Sequence, residues 1–362
     1  MRVYVVVPGG FDDHGRPSGG NIYDRWVCAG LAASGWDVRI ITAAGAWPTG
    51  DSGGLGQALA AIPDGETVLI DGLIASPSAA QLLPHARRLR LVVLLHMPLA
   101  TALDGCHDGP ALRSERAVLA VAAGVVVTSE WSRDQVLRRF SIPADRVRVA
   151  RPGADRGDSA SRLREVPAAG GHLLCVAALA RHKGQDLLIE ALAGLVRTDR
   201  DTDWDLVLVG PLDREPEFTD RVSASISQQG LNPRVRLAGV LTGAALHRAY
   251  ADADLLVVPS RSETYGMVVT EALAHGLPVL ATAVGGLPEA LGFAPDGSRP
   301  GMLVPPDDPA ALTAALAQWL HGEPNRQQLR AAAFERRSRL PRWNDTVREV
   351  AAALHAASLG CG

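Results

Sequence analysis

Lys183, Glu263 and Glu271 are the residues whose types and settings could do chemistry together. Lysine and arginine total 36, and Lys183 is the only lysine among them. A chain that writes every other base as arginine keeps a lysine either by chance or because the position needs a compact, mobile ammonium instead of a planar fork. In the segment Ala178–Leu192 a buried apolar strand runs into a loop and then into an amphipathic helix. Arg181, His182 and Lys183 therefore stand at a strand's carboxyl end, and Gly184 lets the backbone come close. A diphosphate would find its cations there. A basic cluster at a surface helix start fits the same residues.

The two glutamates lie in Pro259–Leu273, where another buried strand meets a loop and a helix that begins near Gly266. The first amides of that helix, around Gly266, Met267 and Val268, lack intrahelical acceptors. Together with the helix dipole they suit an anion or sugar oxygens. Glu263 sits in the loop beside them, and Glu271 falls about one turn into the helix, where it could face the same space. A carboxylate accepts two hydroxyls well, so a ribose diol or sugar hydroxyls are natural partners. Taken singly, each glutamate reads better as a solvated surface residue.

The elements that must position these groups follow from apolar patterning. Strand-length runs occur at Val3–Val7, Val38–Ile41, Val68–Ile70, Leu91–Leu95, Val125–Val127 and Val147–Val149. Six more follow at Leu173–Val176, Leu206–Val209, Val235–Leu237, Leu255–Val258, Pro278–Leu280 and Met302–Val304. Segments long enough for crossover helices separate them, which predicts parallel sheets covered on both faces. In the first helix, Ile22, Trp26, Val27 and Leu31 predict the buried stripe and Gly35 a stop. The polar, small-residue stretch Ser159–Gly171 reads as a linker between two similar halves. The fold class expected is α/β, with two Rossmann-like doubly wound domains facing a ligand cleft lined by strand carboxyl ends.

Bulk properties exclude other classes. The chain has 362 residues, 47% hydrophobic and 21% charged, enough to bury two cores. A net charge of −3 provides no footprint for nucleic acid. The run after Arg2 is too short for a signal-peptide core, and no apolar stretch reaches the ~18 residues that cross a bilayer. Cys28, Cys106, Cys175 and Cys361 lack metal-ligand spacing, so a reduced cytoplasmic setting is expected. Cys106-His107-Asp108 lacks further ligands, and Asp252-Ala253-Asp254 resembles a manganese-binding D-x-D but lies at a strand's amino end. No metal and no cofactor beyond a co-substrate is expected.

Several motifs together carry a family resemblance. The run Glu263–Glu271 resembles the E-x7-E motif of glycosyltransferase family 4, retaining enzymes of the GT-B fold. So do its surroundings: Ala253-Asp254 before the strand, Pro259-Ser260 after it, Ala274 to Val279, and Gly285-Gly286 to Glu289. Lys183-Gly184 is similar to the family's phosphate turn, Gly19-Gly20 to its N-terminal glycine pair, and Pro152–Asp155 to its turn at the domain junction. The resemblance covers nearly the whole chain and is strongest from about 172 to 306.

The resemblance implies that Lys183 neutralises a nucleotide-sugar's diphosphate, Glu271 holds the ribose, and Glu263 with the amides of Gly266, Met267 and Val268 holds the transferred sugar. Gly19 and Gly20 would approach the phosphates, and His96 would stand beside the reacting sugar, although a histidine at a strand end also fits a structural role. The family's arginine five residues before the lysine is Ala178 here, with Arg181 as a substitute. The final helix, through Trp343 and Val347, would cross back to the N-terminal domain. That sets an acceptor domain at 1–157 plus 343–362 and a donor domain at 158–342. Asp13, Arg16, Asp71, Thr128 and Ser129 are the acceptor-side candidates. The implied activity is retaining transfer of a hexose or N-acetylhexosamine, from UDP by family frequency, to a small polar acceptor. Attack would be front-face and assisted by a phosphate oxygen. A nucleotide-sugar epimerase of the same architecture and a non-catalytic nucleotide-sugar-binding protein are the alternatives.

Overall fold

The computed structural model describes residues 1–13, 15, 17–45, 47–48, 54–99, 109–155 and 171–359. It divides into two compact units. Unit 1 takes in Met1–Asp13, Ser18–Gly153 and the chain from Pro341 onward; unit 2 takes in Ala154–Leu340.

Unit 1 holds β1 (Arg2–Pro8), β2 (Asp37–Ala43), β3 (Thr67–Asp71), β4 (Arg90–Leu95), β5 (Gly124–Val127) and β6 (Val147–Val149). They form one parallel sheet in the order β2-β1-β3-β4-β5-β6. Successive strand residues point to opposite faces, and both faces are covered, which is why the runs are continuously apolar. Val68, Ile70, Leu91, Val93, Leu95, Val125 and Val127 pack into a single core with Leu59, Ile74, Leu82 and Val118 from the helices of that side. The helices Gly19–Ala33 and Trp343–Leu359 pack on each other, and the latter also lies on β3, β4 and β5.

Unit 2 repeats the plan with β7 (His172–Val176), β8 (Asp205–Val209), β9 (Val235–Gly239), β10 (Leu255–Val258), β11 (Val279–Thr282) and β12 (Gly301–Val304). The order is β12-β11-β10-β7-β8-β9, again all parallel. Alternation splits β10 cleanly: Leu255 and Val257 enter the core that contains Trp319 and Phe218, while Leu256 and Val258 enter the core of Tyr250, Tyr265 and Leu273. All twelve apolar runs are strands. Pro278 falls just outside β11, since a proline has no N–H to give to a ladder.

One helix stripe differs from the expectation. The buried face of Gly19–Ala33 is Tyr23, Asp24, Val27, Cys28 and Leu31. Trp26 is 39% exposed and lies flat against Trp343, with ring centroids 5.3 Å apart. Ranking by hydrophobicity favoured the tryptophan over an aspartate. The aspartate is buried because it has a partner in the core.

Candidate active site

Each sheet has a point where the strand order reverses, and ligands of such sheets bind at the carboxyl ends there. In unit 2 that point lies between β7 and β10. The chain leaves β7 into the turn Arg181–Lys183, and leaves β10 into the loop 259–266. The two loops are therefore neighbours although about 80 residues separate them in sequence. Lys183 Nζ donates to Glu263 Oε2 at 2.6 Å, with the two side chains 23% and 15% exposed.

The backbone around this pair is tightly wired. Gly184 has φ 71°, and a Cβ there would collide with the Pro259 carbonyl, so only glycine admits the approach of the two loops. Gly285 (φ 55°) likewise abuts the Glu263 carbonyl, which accepts the Gly286 N–H at 3.1 Å. Arg261 ties both loops together. Its N–H donates to His182 O at 2.8 Å, and its guanidinium reaches Arg181 O at 2.7 Å, both Asp186 oxygens at 2.7 and 2.9 Å, and Asp307 at 2.6 Å. Fork geometry of this kind suits arginine and not lysine. Arg261 is a wiring residue that patterning did not single out, because only its partners in the Arg181–Lys183 turn, the first turn of the helix after it and the loop of Asp307 reveal its role.

Gly266 (φ 96°) caps the helix Met267–Ala274 without contributing a side chain. Glu271 lies on this helix. Its Oε2 accepts the Tyr250 hydroxyl at 2.7 Å, and His275 stacks on the Tyr250 ring at 5.1 Å. Burial raises the Glu271 carboxyl's pKa, and the tyrosine's hydrogen bond opposes that rise. Tyr250 was missed from sequence because an aromatic on an amphipathic helix reads as core. It is core, at 3% exposed, with its hydroxyl aimed at the site.

In unit 1 the order reverses between β1 and β3. Asp71 ends β3, His96 follows β4, and Gly19-Gly20 open the helix after β1, with Ser18 as its cap. A Cβ at Gly20 would lie 3.3 Å from the His96 ring. His96 Nε2 is 2.9 Å from Asp24 Oδ1. Asp24, Asp71 and His96 offer ligand atoms within 4.8 Å of one another, the one cation-sized cluster among the described residues.

The remaining candidates are placed as follows. The Arg181 side chain is exposed, and its main chain is engaged by Glu215 and Arg261. The place of Ala178 is used differently: its carbonyl accepts from buried Gln185 at 2.9 Å. Ser129 is fully buried as the cap of the helix Glu130–Arg139, accepting from Ser132 N–H at 3.0 Å. Thr128 is buried beside it with an unpartnered hydroxyl. Asp71 caps the short helix Gly72–Ala75 through Leu73 N–H at 2.8 Å. Asp13 is exposed; Arg16 and the Cys106-His107-Asp108 cluster lie outside the described residues. Asp254 sits at the amino end of β10, held by Arg330 at 3.0 Å and by the His172 N–H at 3.1 Å.

Comparison with known proteins agrees with this fold. The family described as "Glycosyl transferases group 1" matches residues 167–336. D-inositol 3-phosphate glycosyltransferase 1 of Catenulispora acidiphila is 29% identical over 302 residues, 80% of this chain and 70% of that protein. D-inositol 3-phosphate glycosyltransferase of Kineococcus radiotolerans is 32% identical over 68% of this chain and 60% of its own length. The match to Corynebacterium diphtheriae D-inositol 3-phosphate glycosyltransferase, 32% identical, spans 58% of this chain and about half (51%) of the relative. Sucrose-phosphate synthase from Thermosynechococcus elongatus shares the fold with TM-score 0.79 and 23% identity, each chain fully covered. Anabaena HepE in complex with UDP and glucose superposes with TM-score 0.73 at 20% identity, covering 98% of this chain and 100% of the other. Two doubly wound parallel sheets of the GT-B type are the fold this chain shares with those structures, and residues 167–336 match the group 1 glycosyltransferases.

Proposed function

We propose that this protein is a retaining, metal-independent glycosyltransferase that moves a hexose or N-acetylhexosamine from a UDP-sugar to a small polar acceptor. The observation that carries the reading is the Lys183–Glu263 contact of 2.6 Å at the reversal point of unit 2. A cation for the leaving diphosphate and a carboxylate for sugar hydroxyls are thereby set side by side, next to a helix start. As the bond from the anomeric carbon to phosphate oxygen breaks, negative charge grows on the diphosphate, and Lys183 with the amides of Met267 and Val268 is preorganised to meet it. The acceptor hydroxyl bonds to the anomeric carbon from the same face, and its proton passes to the departing phosphate oxygen. Glu271, steadied by Tyr250, holds the ribose. The names of the relatives, which speak of inositol 3-phosphate, support a small hydroxylated acceptor, and the UDP complexes of a shared fold support the nucleotide. His96, Asp13, Arg16, Asp71 and Thr128 of the first half are the groups proposed to face the sugar and acceptor.

A thermal-shift screen of UDP-, GDP-, ADP- and dTDP-sugars tests the donor. A ligand at one hundred times its Kd stabilises by about 2.7 kcal/mol, so a true donor produces a clear rise in Tm. UDP-sugars are expected to do so, and a response to another nucleotide alone would refute the UDP assignment. Transfer is expected to survive EDTA, with the anomeric configuration kept in the product. Strict manganese dependence would overturn the metal-independent reading and would point to Asp24, Asp71 and His96.

Glu271→Ala is expected to raise the donor KM about 10- to 100-fold with a smaller change in kcat, since a hydrogen bond to a charged group is worth about 1.5–3 kcal/mol. Tyr250→Phe keeps the carboxylate and loses only its anchor, so about a threefold to tenfold rise is expected. Steady-state kinetics with donor varied reads both. Unchanged KM in Glu271→Ala would remove Glu271 from the ribose.

A further inference from the structure

A second buried acid reaches His96 beside Asp71, and the proposed chemistry leaves it without a task. Asp24 sits on the inner face of the Gly19–Ala33 helix and is 2% exposed. Its Oδ1 is 2.9 Å from His96 Nε2, and its Oδ2 is buried with no hydrogen-bond partner. Asp71, 4% exposed at the end of β3, completes a cluster whose ligand atoms all lie within 4.8 Å of one another. The other titratable groups facing the cluster are Tyr23 and Cys28. Tyr23 puts its ring edge-on to the imidazole at 5.1 Å and donates its hydroxyl to Ala150 O at 2.9 Å. Burial first, then the Asp24 charge, pushes Tyr23 well above its ordinary pKa and Cys28 up to about 12, so both stay neutral.

The charge state follows from counting what so little space tolerates. Two ionised carboxylates cannot share a buried site without a cation, and one carboxylate beside a neutral imidazole still leaves a net buried charge. One carboxylate, one protonated carboxyl and one imidazolium leave none. We propose that Asp24 is a positioning residue that keeps His96 a cationic, doubly protonated hydrogen-bond donor through neutral pH, with the Nε2–H given to Asp24 and the Nδ1–H presented to the ligand. His96 then greets an acceptor atom, a hydroxyl or phosphate oxygen, and does not act as a base. The pKa shifts agree. Burial alone would lower His96, but the charge and hydrogen bond of Asp24, with Asp71 behind them, carry it to about 9. Asp71 rises to about 7, through burial first and Asp24 second.

Both folded-state values lie above the unfolded ones, so the signs agree. The His96 contribution to stability is full below about pH 6.5 and is lost as pH climbs through about 9. The Asp71 contribution is likewise lost on the way up to about 7.

The role beside the sugar rests on the proposed function; the charge state does not, and the experiment separates them. Histidine ring NMR of the whole wild-type chain, without ligand, is expected to show one imidazole still protonated at pH 8, identified by its absence in His96→Gln. In Asp24→Asn that signal is expected to titrate at or below about 6.5. Asp71→Asn keeps the direct contact, and a smaller fall is expected. With donor and acceptor, Asp24→Asn is expected to approach wild-type kcat at pH 6 and to fall about 10- to 100-fold below it at pH 8.5, a pH dependence that loss of mere packing would not produce. A wild-type His96 titrating near 6.5, a titration unmoved by Asp24→Asn, or broadening of the His96 signal by stoichiometric manganese would each overturn the proposal. If no sugar is transferred at all, the proposed function fails while the titration still decides the charge state.

Discussion

Lys183→Ala is expected to lower kcat/KM for the nucleotide-sugar about 10²- to 10³-fold. Removing one preorganised donor from developing charge costs about 2.7–4 kcal/mol in enzymes where it has been isolated. Lys183 has a further reason to sit at the high end. Its removal leaves Glu263, only 15% exposed, without the cation 2.6 Å away, and an unpaired, partly buried carboxylate would repel the incoming diphosphate. Lys183→Arg is expected to rescue little. The pair with Glu263 uses the ammonium as a compact point charge, which a longer, planar guanidinium does not reproduce. Single-turnover kinetics with isothermal titration of UDP reads binding and chemistry separately. Lys183→Ala with wild-type kcat/KM would remove Lys183 from the diphosphate.

Glu263→Gln is expected to separate the two halves of that site. Glu263 pairs with the lysine proposed to meet the diphosphate, so donor binding would draw Lys183 from one anion to another. The amide keeps the shape and hydrogen-bonding capacity of the side chain but drops its charge. UDP is therefore expected to bind about threefold to tenfold tighter, as a competing ion pair of this exposure is worth about 1 kcal/mol. Turnover is expected to fall about 10²-fold, because the carboxylate proposed to hold the sugar in the reacting geometry is lost. Tighter product and slower transfer in one variant is a signature that a general loss of structure does not produce. Weaker UDP binding with unchanged kcat would show that Glu263 belongs to the nucleotide and not to the sugar.

The architecture was largely legible in the sequence. All twelve strands were visible because a strand buried on both faces must be apolar at nearly every position, and short apolar runs bounded by loops have no better reading. Reading was poorer where a residue's task depends on a distant partner. Asp24 breaks its helix's apolar stripe, and only His96, 72 residues away, explains why a charge is buried there. Tyr250 looks like core and is core, and its hydroxyl acquires meaning only from Glu271. Ser129, at a strand end, also caps the helix that follows, a task that only its contact with Ser132 reveals. Arg261 was one arginine among many until a turn, a helix start and the loop of Asp307 were seen to converge on it.

By itself the sequence determined which loops follow strand ends and which residues they carry, because local patterning and glycine placement are short-range properties. That included the solitary Lys183 before Gly184 and the two glutamates around a helix start. Strand order was decided only by the tertiary structure. β10 lies beside β7, although β8 and β9 intervene in the chain, because the order reverses there. Side-chain periodicity says which faces are buried and not which edges pair, since every buried parallel strand looks alike to its neighbours. That pairing brings Lys183 and Glu263 to 2.6 Å, and makes a cation and a carboxylate from separate motifs into one site.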